Sequence, residues 1–169
     1  MDWVLILLRL VHIGLGTVWV GMMLFNVVFL MPSLREAGPA GGAVMAGLQR
    51  RRMMTILPLI ALVTILSGFW LVERVWGGMS NLTATRTGLA FTAGAVCAVI
   101  AFLLGILVMR PAMMRSARLM NEMDSVPESE RAARMATLAK LRTRGAATAN
   151  VVAVLLVLAL GAMAVARYL

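Results

Sequence analysis

The only histidine of the chain, His12, lies inside an apolar run from Trp3 to Met31 that reads WVLILLRLVHIGLGTVWVGMMLFNVVFLM. A neutral imidazole offers one N–H donor and one lone pair, which suits it to ligate haem iron or a metal ion. It is equally suited to a hydrogen bond with a backbone carbonyl or a hydroxyl on another helix. For the lone residue, the hydrogen bond to another helix is the favoured reading. At 100° per residue, Asp2, Arg9, His12, Gly16, Trp19, Met23 and Asn26 fall within roughly a third of a helix circumference. The rest of that surface is Leu, Val, Ile and Phe. A polar stripe on a membrane helix faces protein, water or a cofactor rather than lipid. The functional reading therefore sets a cofactor against Arg9, His12, Gly16, Trp19 and Met23, with His12 as the metal ligand.

Depth sharpens the question. With the membrane starting near Trp3, Arg9 lies about 9 Å in and His12 about 13 Å in. An unsatisfied polar group there costs several kcal/mol, so His12 needs a partner. Arg9 and Glu73 both fall just inside the same interface, where an ion pair would neutralise two charges that are costly to bury singly. The functional version has Arg9 holding a propionate or another anion while Glu73 relays protons. Asn26 and Asn150 approach the opposite end, and their spacing allows an amide pair between helices. Fifteen methionines include Met22-Met23, Met53-Met54 and Met113-Met114, which suggest either thioether ligands for Cu(I) or adaptable packing. Packing is the better account, because no Met-x-x-x-Met pair falls mid-membrane on the stripe. Cys97 is alone, which excludes an intrachain disulfide. No Walker loop, zinc-protease helix, paired-cysteine motif or nucleophile elbow occurs.

The elements that must position these residues are membrane helices. The chain has 169 residues, 62% of them hydrophobic and 14% charged, with a mean hydropathy of +0.93. That composition excludes an ordinary soluble domain. Four spans are predicted at about 3–31, 53–76, 84–109 and 146–168, in an all-α bundle. Pro32 and Pro111 are read as ending spans one and three. Gly38-Pro39 and Gly41-Gly42 mark turns in the first connection, Pro58 a bend in span two, and Gly145 a bend at re-entry. Ala90, Gly94 and Ala98 form a small-residue row that lets a neighbouring helix approach closely. Ser125-Val126-Pro127-Glu128 reads as a capping box opening a helical extension before span four. Glu130 and Arg134 can pair on that extension.

The net charge of +9 follows the topology rather than a nucleic-acid partner. Arg35, Arg50, Arg51 and Arg52 lie in the connection 32–52. Arg110, Arg115, Arg118, Arg131, Arg134, Lys140, Arg142 and Arg144 lie in the connection 110–145. These are twelve of the sixteen cationic residues, and they place both connections in the cytoplasm, beside anionic lipid headgroups. Both termini and the weakly charged 77–83 loop then face outward, with Trp70 and Trp76 near that interface and Arg74 and Arg86 able to snorkel to it. The N-terminus lacks a basic n-region and a small-residue cleavage site, so the first span is read as retained. The expected setting is a bacterial inner membrane.

The run Leu8–Gly21, LRLVHIGLGTVWVG, resembles the first-helix signature of the copper-resistance D-type (CopD) proteins and related four-span bacterial membrane proteins. It is more loosely similar to the HemJ-type protoporphyrinogen oxidases. The resemblance implies b-type haem ligation by His12, and packing roles for Trp19 and Gly21. The chain departs from the pattern in having no second histidine, and its Asn121-Glu122 falls in a cytoplasmic connection. A haem would then take methionine as second ligand, take His12 of a second copy, or stay five-coordinate. Three functions follow as expectations. The first is a redox or electron-transfer protein with haem b preferred over copper. The second is a cofactor-free accessory subunit of a larger membrane complex. The third is a small ion or copper transporter using Arg9, His12 and Glu73.

Overall fold

The structure, a computed structural model, describes residues 2–125 and 127–169. Among them, four helices are long and apolar enough to cross a membrane: α1 (Trp3–Glu36), α3 (Met53–Trp76), α5 (Arg86–Asn121) and α6 (Glu128–Tyr168). Two shorter helices join them, α2 (Pro39–Arg50) and α4 (Met79–Thr83). The chain is thus an all-α multi-pass membrane bundle. Asp2 opens it by accepting hydrogen bonds from Val4 N–H at 3.1 Å and Leu5 N–H at 3.2 Å, as an N-cap does.

Consecutive long helices run antiparallel. His12 and Gly16 on α1 meet Gly68 and Thr64 on α3, in reversed order. Gly94 and Ala112 on α5 likewise meet Ala159 and Gly145 on α6. Close packing of α1 on α3, α3 on α5, and α5 on α6, with α6 returning to α1, closes the ring. Its centre is a cluster of Trp19, Met23, Ala61, Ala101, Val152, Ala153 and Leu156. Exposed Leu7, Leu10, Ile13, Leu59, Leu66, Val154 and Leu158 cover the outside, which suits a surface bathed in hydrocarbon.

The helices differ in length for a reason the prolines alone do not give. Pro32 and Pro111 do not end their helices. Each follows a π-helical turn, Asn26–Leu30 in α1 and Gly105–Met109 in α5. Met31 N–H reaches back five residues to the Asn26 carbonyl, and Arg110 N–H does the same to Gly105. The wider turn makes room for a proline ring that would otherwise strike the carbonyl four residues back. Both helices therefore continue past the predicted stops. At 1.5 Å per residue, the 34 residues of α1 and 36 of α5 span about 51 and 54 Å, well beyond a ~30 Å hydrocarbon core. The excess lies at the basic end, beyond the stops expected at Pro32 and Pro111.

Other local expectations are corrected. Gly41-Gly42 is no turn but lies within α2. A Cβ at Gly41 would collide with the Leu34 carbonyl oxygen, so glycine is what lets α2 fold back onto α1. At Gly145, where a bend is expected, α6 is continuous from Glu128 to Val165, and a Cβ there would make only an ordinary 3.9 Å contact with Ala112. The helix α3 is continuous through Pro58, where the bend is expected. The capping box does not form: Pro127 is the N-cap residue of α6, and the Ser125 hydroxyl donates to the Glu122 carbonyl at 2.8 Å. Val126 of that motif lies outside the described residues. The Glu130–Arg134 pair is present at 3.4 Å, and Glu122 joins the same guanidinium at 3.7 Å.

Gly94 lies at a close approach of α5 and α6, as the small-residue row predicts. A Cβ there would lie 3.0 Å from the Ala159 carbonyl oxygen and 3.1 Å from Met163 Cγ. Gly94→Ala should lower stability by about 1 kcal/mol, the overpacking exceeding the gain in helix propensity. Unfolding in mixed detergent and dodecyl sulfate micelles measures it, and a more stable variant would contradict the close approach.

Candidate functional site

The site is assembled where α1 crosses α3. His12 Nδ1 lies 2.8 Å from the Thr64 carbonyl oxygen. A carbonyl oxygen only accepts, so Nδ1 carries the proton and donates, and in the neutral ring Nε2 holds the lone pair. Ser67 Oγ stands 3.4 Å from the same nitrogen, and its hydroxyl donates to the Thr64 carbonyl at 2.9 Å. The Thr64 hydroxyl is turned along its own helix, donating to the Ile60 carbonyl at 2.8 Å. Thr64 and Ser67 are both buried, and His12 is half-buried.

Small residues make this crossing possible. The imidazole lies over Gly68, where a Cβ would come within 2.8 Å of Cε1 and 3.2 Å of Nδ1. One turn along, a Cβ on Gly16 would touch the Thr64 methyl at 3.4 Å. Thr64, Ser67 and Gly68 were not singled out from the sequence. Their signal was present in the spacing Ala61, Thr64, Gly68, a row of small residues one face wide in an otherwise bulky span.

The stripe of α1 is divided by the fold. His12, Gly16, Trp19, Met23 and Asn26 turn toward the bundle, whereas Asp2 and Arg9 are exposed. Among the described residues no ion pair joins Arg9 to Glu73, which is also exposed. Asn26 donates from Nδ2 to the Met22 carbonyl of its own helix at 2.9 Å. Its Oδ1 is buried without a hydrogen-bond partner among the described residues, and Asn150 is exposed rather than paired with it. Trp19 and Met23 belong to the central apolar cluster. Met23 follows His12 by about three helical turns, or roughly 16 Å along the axis, too far for both to ligate one iron. Cys97 is a free, half-buried thiol.

The site thus reduces to one ring with one committed nitrogen. His12 Nε2 has no hydrogen-bond partner among the described residues. No group of three or more His, Cys, Asp or Glu side chains stands together among them either. No family model, curated protein or solved structure matches the chain.

Proposed function

We propose that the protein is a redox-active membrane protein of the bacterial inner membrane that binds haem b through His12 Nε2. The observation behind this reading is the hydrogen bond from His12 Nδ1–H to the Thr64 carbonyl, at 2.8 Å. A ligating histidine needs its second nitrogen held by such an acceptor, which fixes the ring and raises the basicity of the other nitrogen. Ser67 and Gly68 complete the seat, one by polar contact and one by leaving room. Nε2 remains an accessible lone pair in an apolar setting, where an unmet acceptor is costly.

A single imidazole suits axial ligation of haem better than a copper centre built from several side chains. Haem, when bound, supplies one-electron chemistry; the chain orients the ligand and surrounds it with hydrocarbon. In a homodimer, His12 of the second copy would supply a second ligand to the haem. The basic end faces the cytoplasm and its anionic lipid headgroups.

A second reading rests on the same contact. Here His12 only fastens α1 to α3, in a cofactor-free accessory subunit of a larger membrane complex. Two variants separate the readings. Asparagine places its amide N–H close to where Nδ1–H stands and has no counterpart of Nε2. Glutamine reaches further, to the region of Nε2. If haem is bound, protein purified from haem-replete cells shows a Soret band that is lost in His12→Asn while the fold persists. If His12 only fastens, the wild type is colourless and His12→Asn stays closer to wild-type stability than His12→Gln.

A further inference from the structure

A cleft of about 330 Å³ opens at the basic end between α3 and the continuation of α5. Three arginines line it: Arg52 at the start of α3, then Arg110 and Arg118 on α5. Gln49, Thr55 and Asn121 add polar groups, and Met113 contributes to the apolar remainder. No carboxylate among the described residues lines this cleft. Among the described residues the acidic side chains that form ion pairs, Glu122, Glu128 and Glu130, take Arg131 and Arg134 instead.

Three like charges on one small cleft repel one another unless an anion joins them. An independent observation points the same way. Arg110 Nε is buried and has no hydrogen-bond partner among the described residues, although a guanidinium N–H removed from water needs an acceptor. None of the described residues supplies that acceptor. Planar guanidiniums match the paired oxygens of a phosphate, which can accept from several arginines at once.

The level of the cleft selects the source. Met54 and Thr55 begin an apolar span, and Arg110 follows the last apolar turn of α5. The arginines therefore stand at the boundary between hydrocarbon and water, where lipid phosphates lie. We infer that this cleft is a phosphate-binding site that takes the headgroup of an anionic phospholipid, held by Arg52, Arg110 and Arg118.

The test uses the full chain in mild detergent, with its thermal midpoint followed against added short-chain lipid. Dioctanoyl phosphatidylglycerol should stabilise the protein saturably, and dioctanoylglycerol, which lacks the phosphate, should not. Arg52→Gln/Arg110→Gln/Arg118→Gln should weaken the apparent affinity about tenfold or more. Arg118→Gln alone, at an exposed position, should weaken it in part and serves if the triple variant does not fold. Arg115→Gln/Arg144→Gln, which removes charge from a neighbouring cleft, should leave the affinity unchanged. Inorganic phosphate that fails to displace the lipid assigns the site to the headgroup; displacement at matched concentration assigns it to a free phosphate compound. Equal stabilisation by dioctanoylglycerol, or equal weakening in the Arg115/Arg144 variant, would overturn the site.

Discussion

Gly88→Ala should destabilise the bundle by about 3 kcal/mol, a large loss for one methyl group. A Cβ at this position would overlap the Leu82 carbonyl oxygen, and would also stand 2.9 Å from Thr85 Oγ1. The obstacle is backbone, so no change of rotamer relieves it. Nor can the turn swing away freely, because Leu82 is among the largest fully buried side chains, at 2% exposure. Relief requires lifting Leu82 from its seat or unwinding the first turn of α5, where the Thr85 hydroxyl accepts from Gly88 N–H at 3.0 Å. Burial of a leucine is worth about 2 kcal/mol, and the lost cap about 1. A double-mutant cycle with Leu82→Ala gives the check. If α5 is held as described, the two losses fall well short of additive; full additivity would show that Gly88 and Leu82 act independently.

Gly68→Ala is expected to cost about 2 kcal/mol, and its effect should reverse in the absence of His12. The new methyl would press the imidazole at Cε1 and Nδ1, pushing the ring off the Thr64 carbonyl. Hydrogen bonds between membrane helices are worth about 0.6–2 kcal/mol, and overpacking adds a comparable amount. In a His12→Ala background the space above Gly68 is open. Alanine then brings only its higher helix propensity, worth up to about 1 kcal/mol. Stability of the four proteins in one detergent measures the coupling. A Gly68→Ala penalty of equal size in both backgrounds would mean that the ring does not rest on this glycine. In a haem-loaded protein the same substitution should also shift the Soret band, since it reorients the ligand rather than removing it.

Much of the bundle was legible because hydropathy, small-residue spacing and basic flanks each depend on local composition. Span two coincides with its predicted bounds, and Gly94 is the crossing point its row of small residues suggested. What was misread depends on partners distant in sequence. Pro32 and Pro111 read as stops because a π turn leaves no mark in composition. Gly41 reads as a turn residue unless the nearness of Leu34 is known. The polar stripe of α1 was visible, but which part of it turns inward is decided by where α3 and α6 lie. Arg9 consequently parts company with His12. The imidazole itself was conspicuous, whereas its acceptor, a backbone carbonyl at Thr64, is a group every residue carries.

The paired π turns carry a geometric consequence for the long helices. One extra residue in a turn rotates everything beyond it by about 100° relative to an uninterrupted α-helix. The side of α5 that meets α6 inside the bilayer is therefore out of phase with the side it would present after Met109. Beyond that turn Arg110 and Arg118 line a common cleft while Ala112 contacts Gly145. A single-residue offset in α1 and in α5 thus lets one continuous rod serve two neighbourhoods, one oily and one ionic.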